Sequence, residues 1–156
     1  MKQSAQRVQQ ALAAQGLDLE VREFPASTKT AAEAAAVIGC RVAEIAKSMI
    51  FRAQHSDRPV LAVASGVNRV DMEKLAAALG EPVARADAAF VREKTGYAIG
   101  GVPPVGHAVA PVTLIDRDLM LLPEIWAAAG TPNAVFRLTP RRLLLLTAGQ
   151  VIDLSA

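Results

Sequence analysis

The chain has 156 residues, 52% hydrophobic and 21% charged, so it can bury a core and is not disordered. Its length fits one domain over residues 1–156, and its net charge of +2 is mildly basic without a concentrated charge run. No apolar stretch approaches the ~20 residues of a membrane-spanning helix, so no membrane partner is expected. One cysteine, Cys40, and two histidines, His55 and His107, exclude an internal disulfide and leave no basis for a metal cluster. No metal or cofactor is therefore expected. Met1 to Arg7 is not followed by an apolar leader segment, and a reduced, cytoplasmic compartment is the expectation. Alanine dominates the apolar content, with 31 residues against a 4% aromatic share, so the core should consist largely of small side chains.

Val8, Ala11, Leu12 and Gln15 recur at helical spacing and predict a helix over Ser4–Gln15, stopped by Gly16. Leu19–Phe24 reads as a strand ended by Pro25. Thr30-Ala31-Ala32-Glu33 has the form of a capping box and opens an alanine-rich helix to Ile38, with Gly39 as the stop. A helical turn over Val42–Ala46 leads into a strand, Ser48–Ala53. Asp57-Arg58-Pro59 is turn chemistry before a second strand, Val60–Ala64, and the pair predicts an antiparallel hairpin. Asp71 and Asp87 are N-caps of helices that run to Leu79 and Thr95, each stopped by glycine. Beyond a Gly/Pro-rich loop, Pro111–Ile115 reads as a strand, Pro123–Ala129 as a short helix around Trp126, and Ala134–Leu138 as a strand. Thr139-Pro140 caps a helix over Arg141–Thr147, and Val151–Asp153 closes the chain as an edge strand. Hairpins mixed with irregularly placed helices favour an α+β fold over a doubly wound one.

Most catalytic signatures are missing. There is no P-loop, no GxSxG elbow, no HExxH and no dinucleotide-binding fingerprint. Cys40 directly follows a helix stop and reads as packing rather than as a nucleophile. Lys47 is more informative, because it lies between Ile45-Ala46 and Met49-Ile50-Phe51. A lysine embedded in apolar sequence either snorkels to solvent or projects its ammonium into a pocket, where it can hold a carbonyl or phosphate oxygen. The segment Gly100-Gly101-Val102-Pro103-Pro104-Val105-Gly106-His107 is the second candidate. Its glycines permit close backbone approach to a ligand and free N–H groups, and its prolines stiffen it. The same composition also suits a rigid surface turn. His107 can act as acid, base or clamp, or it can hydrogen-bond the loop backbone.

Ala43-Glu44-Ile45-Ala46-Lys47-Ser48-Met49-Ile50-Phe51, followed some fifty residues later by Gly96-Tyr97-Ala98-Ile99 and the glycine–proline loop, resembles the YbaK/ProX-type aminoacyl-tRNA deacylases. These are free-standing relatives of the editing domain of bacterial prolyl-tRNA synthetases, and the likeness covers nearly the whole chain. The resemblance implies an α+β editing-domain fold: a twisted, mixed, mostly antiparallel sheet, partly closed like a barrel and flanked by helices. It places Lys47 on the family's essential lysine and Gly101 on the functional glycine of its GxxP loop, the two residues expected to be catalytic. Ser48 falls beside that lysine where relatives carry Thr, Ser or Asn, and Phe24 falls where some carry a pocket-lining Tyr. Thr28, Gly100, Pro103, Gly106 and His107 complete the implied substrate-binding set. Where cysteine-specific members carry Asp near the end of the penultimate strand, this chain has Val135. That departure bears on the amino acid removed, not on the reaction class.

The implied activity is hydrolysis of the ester linking a small, wrongly attached amino acid to tRNA, tRNA-Pro or a related one. The implied partners are the 3′ acceptor end of an aminoacylated tRNA and, optionally, a synthetase, but not DNA. Two other readings stay open: a catalytically silent module that binds the acceptor end or a synthetase, and a small-molecule ester or thioester hydrolase.

Overall fold

The computed structural model describes residues 1–156. In chain order the elements are α1 (Gln3–Ala14), β1 (Val21–Glu23), α2 (Ala31–Ile38), β2 (Ile45–Ala53), β3 (Pro59–Ser65), α3 (Met72–Leu79) and β4 (Val83–Arg85). There follow α4 (Ala88–Thr95), β5 (Val112–Asp116), β6 (Ile125–Ala128), β7 (Ala134–Leu138), α5 (Pro140–Thr147) and β8 (Gln150–Ile152). Two 3₁₀ turns, Val42–Glu44 and Arg117–Leu121, complete the list.

The local signals for helices operate as expected. Thr30, Asp71, Asp87 and Thr139 each accept a hydrogen bond from a backbone N–H in the first turn of the helix they precede. Gly39, Gly80 and Gly96 end α2, α3 and α4 in the left-handed conformation. One expectation fails. Pro123–Ala129 contains a strand, β6, rather than a helix. Its Ile-Trp-Ala-Ala sequence is locally compatible with a helix, but antiparallel pairing with β7, from Ile125↔Leu138 to Ala128↔Val135, overrides that preference. Ile125 and Ala127 are buried while Trp126 and Ala128 are less so, the two-residue period of a strand. The three-residue β4 and the Arg117–Leu121 turn are too short to have left a periodic signal.

The α+β class holds. The sheet runs β1-β7-β6-β2-β3-β5-β8, with β4 also paired to β2. The β2–β3 hairpin is antiparallel, as are β1–β7, β6–β7 and β2–β4, whereas β2–β6, β3–β5 and β5–β8 are parallel. The sheet is open rather than partly closed. Its outermost strands, β1 and β8, do not pair with each other.

Every residue of β3 is buried, because both faces of the sheet are covered there. Leu61 and Val63 join the larger core with α1, β6, β7 and α5, built around Val8, Leu12, Phe136 and Leu143. Val60, Ala62 and Ala64 point the other way, into a smaller core with Phe51, Leu75 and Leu154. Alanines on that second face let α3 and the C-terminal segment approach the sheet closely.

Asp116 at the end of β5 is 1% exposed and is held by donors rather than by a cation. It accepts from the N–H groups of Ser65 (3.0 Å) and Asp118 (2.9 Å) and from Asn68 Nδ2 (2.8 Å). These bonds tie the end of β3 to the loop that follows it. Asp116→Ala leaves buried donors without an acceptor and should cost about 2–3 kcal/mol. Urea unfolding measures the loss, and a change below ~0.5 kcal/mol would show that the loop is held by other means.

Candidate functional site

The site follows from how strands attach to β2. Parallel pairing with β6 stops at Ala46↔Ala127, and antiparallel pairing with β4 begins at Phe51↔Arg85. Lys47–Ile50 therefore has β3 on one side and no strand on the other. In an antiparallel pair, alternate residues direct both backbone groups at the partner. The Ala53 N–H to Arg58 O bond (3.0 Å) and the Gly66 N–H to Ile45 O bond (2.8 Å) show that the odd-numbered residues of β2 face β3. Ser48 and Ile50 accordingly direct their N–H and C=O groups into the gap, where no loop residue bonds them.

A cleft of about 410 Å³ lies over this bare edge. One wall is Thr28–Ala31 with Ala34, the second is the Ile99–Val102 stretch of the glycine loop, and the third is Trp126–Ala128 with Val135. Lys47 and Ser48 lie on the exposed edge between them. A second cavity of about 270 Å³ continues past Gly100 along Ser48–Phe51. No Asp, Glu, His or Cys lines the main cleft.

Lys47 is half-buried, and its ammonium has neither an ion pair nor a hydrogen bond. Burial pushes its pKa below the ordinary lysine value; nearby Arg69 pushes the same way, while Asp116 opposes the shift. An anion entering the cleft would relieve that cost. Ser48 Oγ is also buried without a partner. The N–H groups of Gly100 and Val102 make no internal hydrogen bond, but that of Gly101 donates to Ala98 O at 3.1 Å. Free N–H groups on this loop are thus at Gly100 and Val102, not at Gly101.

Three loops interlock around the cleft. Thr28 N–H and Oγ1 both donate to Pro132 O (2.6 and 3.0 Å), and Phe24 N–H donates to Asn133 O (2.8 Å). Gly130 N–H donates to Gly101 O (2.8 Å). A Cβ at Gly101 would lie 2.8 Å from Thr131 backbone atoms, so this glycine is required by packing against a neighbouring loop rather than by a ligand's approach.

The structure thus brings Thr28, Lys47, Ser48 and Gly100 to one cleft, with Gly101 immediately behind it. Phe24, Pro103, Gly106 and His107 do not line it. His107 faces a separate cavity beside α5, its Nε2 donating to Pro103 O at 2.6 Å while Nδ1 is buried without a partner. It staples the loop. Cys40 packs beside α2, and burial, then the Glu44 charge, raise its pKa, the opposite of what a nucleophilic thiolate needs. Two cleft residues had no distinguishing sequence signal. Lys29, whose side chain lies over Gly100, looks like any exposed lysine, and the sequence around Trp126 reads as a helix rather than as the wall of a cleft.

The interrupted strand edge, the unpaired lysine and the glycine loop all lie in the part of the chain that resembles a known domain. Residues 25–146 match the aminoacyl-tRNA editing domain, and the chain belongs to that family. It is 36% identical over 124 residues to the uncharacterized protein YwhH of Bacillus subtilis, covering 80% of this chain and 78% of that one. It is 31% identical over 98 residues to the Enterococcus faecalis protein EbsC, named "Putative Cys-tRNA(Pro)/Cys-tRNA(Cys) deacylase", covering 62% and 60% of the two chains. A crystal structure of "a putative trans-editing enzyme for prolyl tRNA synthetase" superposes with a TM-score of 0.95 at 48% identity, covering 100% of this chain and 99% of the other.

Two outcomes follow from the loop. Gly101→Ala should lower the melting temperature and the activity together, since the added carbon meets backbone; an unchanged melt would place the glycine's role at the ligand instead. Burial also lowers the His107 pKa, against a smaller opposite effect of its bond to Pro103. The unfolded chain then takes up a proton at about pH 6.5 while the folded chain resists it. Stability should be complete above that pH and decline as pH falls from 6.5 toward the depressed folded value. His107→Gln should flatten the decline in thermal melts between pH 7 and 5, and parallel curves would refute the burial effect.

Proposed function

We propose that this protein is a free-standing aminoacyl-tRNA deacylase that hydrolyses the ester of a small mischarged amino acid, with tRNA-Pro or a related tRNA as substrate. The observation that carries this reading is the make-up of the cleft: an unpaired, partly desolvated lysine, a partnerless buried hydroxyl and free backbone N–H groups, with no carboxylate, imidazole or thiol among them. Such a site can bind and polarise a carbonyl, and it holds no histidine–acid pair to activate the serine hydroxyl. It suits a substrate that is already activated, as an aminoacyl ester is.

In this reading Lys47 anchors the 3′ end, and Ser48 with the Gly100 N–H faces the carbonyl. Water adds to the carbonyl carbon, and negative charge builds on the oxygen near those donors. The tetrahedral intermediate then collapses, releasing the amino acid and returning a proton to the ribose oxygen. The neighbouring ribose hydroxyl, rather than a protein base, orients the water. Thr28 supports the wall, Gly101 fixes the loop, and Pro103, Gly106 and His107 hold its shape. Phe24 acts from outside the cleft through its link to Asn133. The small apolar lining of Ala127, Ala128 and Val135 fits a small side chain, and Val135 offers no carboxylate to a thiol or ammonium. The names of the relatives support a tRNA substrate and an association with prolyl-tRNA synthetase. The whole chain acts as one editing-type domain in the cytoplasm, without a cofactor.

The test is a single-turnover deacylation panel on tRNAs carrying alanine, serine, cysteine, threonine or 2-aminobutyrate. Hydrolysis of at least one is expected. Lys47→Met should lower the rate on that substrate at least ~100-fold, the loss of a charge-assisted contact, while the melting temperature stays level or rises because a desolvated charge is gone. A substrate lacking the 2′-hydroxyl, charged on the 3′ oxygen, should react ~10²–10³ more slowly, the size of one transition-state hydrogen bond. Binding of the tRNAs without turnover of any would instead identify a silent binding module.

A further inference from the structure

On the other side of Lys47 from the ester cleft lies a cavity of about 240 Å³ between β2 and the start of α3. Three cations converge on it: Lys47 from β2, Arg69 from the loop after β3, and Arg85 from β4. The remaining lining is apolar, including Met49 and Met72, and no carboxylate is among it. Neither Arg69 nor Arg85 makes an ion pair or a guanidinium hydrogen bond, and the cavity lining supplies no counter-charge to them or to Lys47.

The convergence is built rather than incidental. Arg85 lies directly opposite Phe51 in the β2–β4 ladder, on the face that carries Lys47 and Met49. Arg69 sits on a loop fixed from both sides. Ala156 N–H donates to Arg69 O (2.8 Å), Asp71 N–H donates to Leu154 O (2.8 Å), and Val70 forms a bridge with Ser155. Both arginine side chains reach solvent, so the cavity is open to a ligand. Like charges held together without counter-charge repel one another, and an anion that sits among them removes that repulsion.

We propose that Arg69 and Arg85, with Lys47, form a phosphodiester cradle that holds the single-stranded 3′ end immediately upstream of the ester. This rests on the deacylase reading and extends it: the strand would leave the cleft past Lys47 and run across β4 and the Arg69 loop. Lys47 belongs to both compartments, so one ammonium would mark the junction between the aminoacyl group and the backbone. The two arginines are positioning residues and touch no reacting atom.

The experiment has a binding arm and a turnover arm. In the first, an unacylated trinucleotide with two phosphodiesters is titrated into the protein at several salt concentrations. Each neutralised phosphate of a single strand contributes a slope of ~0.7 in log K against log salt, so Arg69→Ala with Arg85→Ala should lower the slope by about 1.4. Affinity should fall roughly tenfold or more per arginine, and the Arg69→Lys, Arg85→Lys pair should recover most of the slope. In the second, the kcat/KM ratio of aminoacyl-tRNA over 3′-aminoacyl-adenosine should fall in the alanine pair, mainly through KM. An unchanged salt slope would overturn the cradle, and so would an equal loss on tRNA and on the phosphate-free ester. Inorganic phosphate that binds as tightly as the trinucleotide would overturn the assignment to a strand and give the cavity to a free anion. If the parent protein turns over neither ester, the deacylase reading fails, yet the binding arm still decides the cradle.

Discussion

A strand edge left without a partner inside a folded protein is an expensive feature, because its N–H and C=O groups lose water and gain no replacement. Here β6 reaches β2 from one end and β4 from the other, and neither extends far enough to meet its counterpart. The bare stretch that results, Lys47–Ile50, is the only reason a cleft exists at this position: a continuous ladder would fill it with backbone. Everything chemically useful in the region depends on that interruption. It leaves the outward-facing Ser48 backbone unpaired, lets Lys47 on one face and Ser48 on the other share a single opening, and gives the glycine loop a place to approach the sheet.

The interruption is tolerable because the loops around it are fixed in place. The segments 24–28, 98–101 and 130–133 are linked through backbone groups, so the two loop walls are held by the β6–β7 turn, while the third wall, β6, is held by β2 itself. Gly101 shows how tight this is, since even one added carbon would meet Thr131. His107 closes the far end of the same loop through Pro103. A cleft framed in this way loses little entropy when a ligand arrives, which is where preorganisation contributes to affinity.

What the sequence reveals divides along the line between local and non-local physics. Helix caps at Thr30, Asp71, Asp87 and Thr139 and stops at Gly39, Gly80 and Gly96 are short-range, and all are legible in the chain. The β2–β3 hairpin is too, through its Asp57-Arg58-Pro59 turn. β6 is not, because the Ile125–Ala128 sequence is locally compatible with a helix and becomes a strand only by pairing with β7 and with the sequence-distant β2. The open sheet and the gap in β2 are equally non-local. Lys47 stands out in the chain because a cation amid apolar residues needs an explanation, whereas Arg69 and Arg85 look like ordinary surface arginines until the fold sets them around one cavity. Gly101 is a mixed case: its loop is visible, but the contact that requires glycine, Thr131, lies thirty residues away.

On the deacylase reading, the composition of the cleft also limits how selective it can be. A small apolar pocket rejects bulk by volume, yet it distinguishes side chains that differ by one methylene or hydroxyl by only ~1–3 kcal/mol. The Ala127, Ala128 and Val135 part of the lining carries no polar group to read a thiol or hydroxyl. A small side chain seated there would be distinguished from its neighbours in size only shallowly. An editing enzyme with a shallow pocket would also hydrolyse correctly charged tRNAs unless the nucleic acid itself carries part of the selection. Contacts outside the cleft, along the path the strand would take away from Lys47, can supply that part of the selection.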